Sequence, residues 1–286
     1  MPPTVPHADN WLQFDQPQVR DLAFLLGSAP LIRAWPQGPA PAIELPDTAF
    51  WQQKFTDYLP RLQQLNRQPA PLLQAIAVWP EQRLGLYAED LLAFWLGDPG
   101  WHEFALLDRH RLILQGRRTL GELDFLVENL DDGAIEHWEL TVKFYLGHAD
   151  FRPAQWIGLD ASDRLGRKLH HLLHRQFDPV RTQGLGIERR RAVVKGRLYW
   201  PADTAEPTGL DWLEPWHERG GWGPKLPHGP VWRAGSRPEW FTPRAGTGHT
   251  PQARYGQAGL YWDASGQHSW VWRPPGWPVC PFVNRH

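Results

Sequence analysis

The sequence predicts an α/β fold in which a helix, three strands, a second helix and a further strand follow one another between residues 80 and 200. Three observations carry that expectation. Apolar residues recur with helical spacing over 80–98 and 161–177, and with a period of two over 104–146 and 192–200. Over 135–146 that alternation is nearly unbroken. Hydrophobic residues make up 42% of a 286-residue chain, enough to bury a core with elaborations or a second domain.

Residues 1–79 read as a helical extension. Positions 17–27 have helical spacing, with Pro17 near the start and Gly27 as a stop. A proline-rich break runs from Pro36 to Pro46. Asp47 or Thr48 then caps a helical stretch to about Arg67, whose apolar residues include Phe50, Phe55, Tyr58, Leu59 and Leu62. Pro60 is expected to kink or split it, and Pro69 and Pro71 to end it.

The core region, 80–200, opens with a helix entered at Pro80 and stopped by Gly97 and Pro99. Leu84, Tyr87, Leu91 and Trp95 form one stripe, while Glu89 points among Gly85, Leu86, Leu92, Ala93 and Leu96. A helix apolar nearly all round is a buried one. A carboxylate there needs a partner or a metal, unless it turns to solvent or a salt bridge.

Strand patterns follow. The first strand or hairpin covers Phe104 to Leu114, and Gly116 begins a basic turn. The second strand, Leu120 to Glu128, places Leu123, Phe125 and Val127 on one face, with Glu122, Asp124 and Glu128 on the other. After the turn Asp131-Asp132-Gly133, the strand Ile135 to Leu146 sets Trp138, Leu140, Val142, Phe144 and Leu146 on its core face. His137, Glu139, Thr141, Lys143 and Tyr145 share the opposite face, left free for water, another segment or chemistry. An amphipathic helix over 161–177, capped by Ser162, leads to a strand at Ala192 to Trp200. The tail, 201–286, is rich in Trp, Pro and Gly and is expected to pack on the core. Short strands are expected at 229–233, 258–262 and 269–273, the last two forming a hairpin.

Composition excludes several classes. The net charge of −1 leaves no global pull towards polyanions, so any such site must be local. Between Ser162 and Arg197, ten Arg or Lys face three Asp or Glu, a local charge of about +7. The lone Cys280 excludes an intramolecular disulfide and a cysteine-built zinc site. The first residues lack the pattern of a signal peptide, and no apolar run is long enough to span a bilayer. A cytoplasmic protein without a membrane partner is expected. The arginine excess over lysine, 25 to 5, is what a guanine-cytosine-rich genome produces. The 18 tryptophans suit either a small aromatic core or a surface that stacks on bases or sugars. His170 and His174 lie one helical turn apart, on what reads as a solvated or phosphate-facing surface.

The stretch Gly121-Glu122-Leu123-Asp124, followed by Glu139-Leu140-Thr141-Val142-Lys143, resembles the active-site hairpin of the PD-(D/E)XK nuclease superfamily. The chain looks closest to an uncharacterised bacterial family grouped with those nucleases, with the likeness covering roughly residues 80–200. That resemblance implies a restriction-endonuclease-like core with a mixed sheet. It implies catalytic roles for Asp124, Glu139 and Lys143, with Glu89 as the helix glutamate. Asp124 and Glu139 would hold Mg2+ or Mn2+, and Lys143 would orient or deprotonate the attacking water. Thr141 stands where the pattern places its second acid, and Glu139 lies two positions earlier on the same face.

Two functions are therefore expected in competition. One is a divalent-metal-dependent nuclease or nuclease-like enzyme acting on DNA. The other is a catalytically degenerate nucleic-acid-binding or scaffold protein of the same fold. In both, Arg164, Arg167 and Lys168 on the basic helix would contact phosphates.

Overall fold

A computed structural model describes residues 10–38, 42–76, 83–115, 118–178, 182, 184–202, 204, 207–244 and 259–278. Pro80, the turn at Gly116, Ala258 and Cys280 lie outside them. The fold is mixed α/β. Its helices and strands in chain order begin with α1 (Pro17–Gly27), α2 (Thr48–Arg67), α3 (Ala70–Ala75) and α4 (Leu84–Leu96). Three long strands follow, β1 (Phe104–Gln115), β2 (Arg118–Asn129) and β3 (Ile135–Gly147), then the short β4 (Trp156–Ile157). Next come α5 (Leu165–His171) and β5 (Arg189–Pro201), with a π-helical turn, Leu172–Gln176, directly after α5. The last strands are β6 (Arg219–Gly223), β7 (Trp232–Ala234), β8 (Gly259–Asp263) and β9 (Ser269–Trp272).

The chain divides into two compact units. The first comprises Met1–Val142, Leu169–Gly196 and Asp211–His217; the second comprises Lys143–Lys168, Arg197–Leu210 and Glu218–His286.

In the first unit the strand order is β1-β2-β3-β5, and β1/β2 and β2/β3 are antiparallel. Helices cover one sheet face. Phe125 pairs with Trp138 in the register, and Trp138 packs against Phe104 at 4.9 Å, Trp95 at 6.3 Å and Trp51 at 6.5 Å between ring centroids. Asp47 caps α2 by accepting from the Phe50 amide at 2.8 Å. Pro60 does not split α2. The helix runs through it, with Trp51, Phe55 and Tyr58 before the proline and Leu62 and Leu65 after it all buried. Burial on both sides outweighs the hydrogen bond that proline removes. In the turn between β2 and β3, Gly133 takes a φ of 74°, the left-handed conformation that a residue without a Cβ adopts at no steric cost.

Of the uses expected for the second face of β3, another chain segment takes the part around Glu139. Burial along β3 is continuous from Glu136 to Thr141. On the Glu139 side, Phe177 lies 4.9 Å from the His137 ring and Gln176 donates to Glu139. The π-helical turn thus brings its end onto a face that parity alone left open.

In the second unit the order is β5-β6-β9-β8-β7, with β4 on β3. The β5/β6 and β6/β9 pairs are parallel; β7/β8 and the expected β8/β9 hairpin are antiparallel. The tryptophans build a core: Trp222, Trp240, Trp262, Trp270 and Trp272 are all buried. Strand β6 passes beneath two of the aromatics. A Cβ at Gly221 would lie closer than 3.0 Å to the Trp270 ring, and one at Gly220 equally close to the Tyr199 ring. Ser162 does not cap α5. Its amide donates to Asp160 at 2.9 Å within a turn, and Arg164 bridges to Ile157, so the helix starts only at Leu165. Among the described residues no helix is long and apolar enough to cross a membrane.

Candidate active site

The site is built where β2 and β3 separate. Their ladder runs from Glu128↔Ile135 to Phe125↔Trp138. One residue further, the Asp124 carboxylate accepts from the Leu140 amide at 2.9 Å, a donor that a ladder carbonyl would otherwise take. A side chain in that position holds the strands apart and fixes Asp124 in the gap.

Helix α4 supplies two neighbouring acids. The Glu89 side chain is only 16% exposed, and its carboxyl is pushed up to about 7. Burial is the largest cause and the charge of Asp124 the next, against smaller opposing effects of His110 and Arg109. Asp90 pairs with Arg109 at 2.6 Å. The helix glutamate and the hairpin aspartate thus share one electrostatic site.

His110 completes the cluster, and sequence reasoning missed it. It falls between the register pairs Arg109↔Phe125 and Arg111↔Leu123, which sets it across from Asp124. Its φ of 53° is left-handed, a conformation uncommon for a residue with a side chain and one that collects at functional sites. Nδ1 lies 2.8 Å from Glu122 Oε1, and Nε2 lies 2.9 Å from Arg109 Nη2. Its two ring nitrogens thus bridge the Arg109 guanidinium and the Glu122 carboxylate. Glu89 Oε2 is 3.7 Å from Nε2. A signal was present: Asp108, Arg109, His110 and Arg111 break the apolar alternation in the middle of a strand.

Glu139 is fully buried. His137 Nε2 lies 2.6 Å from its Oε1, and Gln176 donates to its Oε2. The Asp124 amide reaches Oε1 at 3.4 Å, so Glu139 stands behind Asp124. Burial pushes the His137 imidazole down to about 4, despite an opposite effect of Asp124; it is neutral and donates to Glu139. Thr141 is buried. Lys143 lies in the second unit, where Nζ pairs with Asp163 Oδ2 at 2.8 Å and Tyr145 donates to Asp163 Oδ1 at 2.9 Å.

The cations counted between Ser162 and Arg197 are divided between buried and more exposed positions. Arg191 pairs with buried Glu136 at 2.9 Å and lies 5.4 Å from the Trp138 ring centroid. Lys195 is buried over Trp51 at 4.1 Å and donates to the Ser28 carbonyl. Arg197, in the second unit, is buried over Trp262 at 4.8 Å. These cations sit on β5, whose neighbours supply aromatic faces and carboxylates for them. Arg164 precedes α5 and donates to the Ala154 carbonyl at 2.9 Å; exposed Arg167 donates to Ser162 at 3.2 Å, and Lys168 is half-buried. His170 and His174 are exposed, with ring centroids 4.3 Å apart.

Among the described residues, no three Asp, Glu, His or Cys side chains form a ready metal cage. The donor set nonetheless suits a hard cation. Glu89 and Asp124 are two carboxylates in partial burial, and Mg2+ characteristically binds through one or two carboxylates while keeping several waters.

Neither a curated protein nor a solved structure matches the chain. One family does, a domain of unknown function (DUF1853), over residues 20–245. That match takes in all of α4, β1, β2 and β3, and the chain belongs to the DUF1853 family.

Proposed function

We propose that this chain is a nuclease of the PD-(D/E)XK type, with a restriction-endonuclease-like core, acting on DNA phosphodiesters with Mg2+ or Mn2+ held by Glu89 and Asp124. The observation that carries the reading is the pairing of those two carboxylates, one from α4 and one from β2, with Glu89 pushed up to about 7 by burial and by Asp124. An acidic centre of this kind repels a phosphate backbone unless a cation intervenes. When bound, the cation would offset negative charge on the phosphodiester and activate a water towards attack. Asp124 is held for that task by the Leu140 amide. His110, oriented by Glu122, lines the same centre. Glu139 supports Asp124 from behind, and it is the resemblance alone that gives Lys143 the task of orienting or deprotonating the attacking water.

Two observations favour the degenerate reading. Both Glu139 oxygens already accept hydrogen bonds, and Thr141 fills the usual acid position. Cleavage of linear single- and double-stranded DNA with Mn2+ separates the two. Wild-type protein should cut, Asp124→Asn and Glu89→Gln should not, and Lys143→Met should bind the cation without cutting. DNA binding without cleavage, unaffected by Mn2+, would replace the nuclease with the nucleic-acid-binding scaffold.

A further inference from the structure

The turn after α5 is π-helical over Leu172–Gln176, closed by a hydrogen bond from the Phe177 amide to the Leu172 carbonyl at 3.0 Å. A single π turn is rare, accommodates one extra residue, and recurs at functional sites. Its last residue, Gln176, donates to Glu139 Oε2, and the next, Phe177, packs on His137. His137 in turn holds Glu139 Oε1, so one turn governs both oxygens of the acid that stands behind Asp124.

We propose that this π turn is a gate on the acidic centre, an inference that rests on the cation reading above. With the turn in its π form, Gln176 keeps the Glu139 carboxylate engaged, and the cation centre has only Glu89 and Asp124. Reversion of the turn to α-helical hydrogen bonding shifts the following residues by one position, a rotation of about 100°. Gln176 then leaves Glu139, and the carboxylate becomes the third oxygen ligand.

The test is an Mn2+ titration of the full chain, read as the metal-dependent rise in melting temperature, for wild type and Gln176→Met. Methionine keeps the length of the side chain and removes its donor. The variant should respond at about tenfold lower Mn2+, the factor expected from releasing one hydrogen bond to a charged acceptor. The added change Glu139→Gln should cancel that gain. Gln176→Leu serves as a second variant if Gln176→Met fails to fold. Equal responses in wild type and variant, both lost with Asp124→Asn, would overturn the gate and leave the cation site standing. No response in either protein would overturn both.

Discussion

Two acidic clusters lie in the first unit, one buried and one partly exposed, and they differ in how their charge is met. Glu136 is fully buried, with Arg189 at 3.0 Å, Arg191 at 2.9 Å, the Trp138 indole at 2.8 Å and the Asn129 amide at 3.2 Å. Its charge is matched by two guanidiniums on β5. The α4–β2 cluster sets Glu89, Asp90, Glu122 and Asp124 against Arg109 and His110. Burial first, and then the charge of Asp124, raise the proton affinity of Glu89. The comparison teaches which charges hold the fold and which are kept for another purpose. A matched buried pair closes on itself, whereas unmatched carboxylates destabilise the protein that carries them.

The largest expected effect falls on the matched cluster. Glu136→Ala takes from Arg189 and Arg191 their buried acid and leaves them only the more exposed Asp132 and Glu44, and should cost about 3 kcal/mol in denaturant unfolding. A loss under about 1 kcal/mol would show that the network is not structural.

For the unmatched cluster the sign reverses. The Glu89 carboxyl holds its proton more tightly folded than unfolded, with about 7 against an ordinary 4.5. Folding stability is therefore full below the ordinary value and declines as pH rises through about 7. Glu89→Gln should be more stable than wild type at pH 8, by on the order of 2 kcal/mol, and converge with it near pH 4.5. A difference that is constant with pH would remove the electrostatic cause. His137 behaves oppositely: its proton affinity falls on folding, so stability should drop as pH falls from 6.5 towards about 4. His137→Gln should flatten that part of the profile.

The smallest effect concerns Arg164, Arg167 and Lys168. Replacing all three with Gln should leave the fold intact. It should lower the salt slope of DNA affinity by about 0.9 for each phosphate that is no longer neutralised. An unchanged slope would remove this segment from the nucleic-acid face.

Local periodicity explains what was legible. The expected helix at 17–27 has the bounds of α1, and alternation found β3 to within one residue. A carboxylate on an apolar helix also signalled a partner for Glu89, while its association with Asp124 came only from the resemblance. Contacts between distant segments were not. Gln176 covers Glu139 from 37 positions away, and Asp163 meets Lys143 from 20. Parity assigns a residue to a face and is silent on what covers it. The charge count over 162–197 could not separate Arg191 and Lys195, which lie over aromatic rings, from the cations nearer the surface. Strand β6 escaped notice because three of its five residues are glycine, a type depleted in strands, and its pattern has meaning only beneath Tyr199 and Trp270.

The central claim is that the unmatched acids wait for a cation. It is tested most directly by the melting temperature of the full chain at pH 8, with and without millimolar Mn2+, in wild type and Asp124→Asn. A ligand that binds only the folded state stabilises it. Wild type should rise with Mn2+. Asp124→Asn should melt higher than wild type without metal, because Glu89 loses a repelling neighbour, and should gain nothing from Mn2+. A wild-type protein indifferent to Mn2+, or an Asp124→Asn variant that responds as fully, would contradict the account.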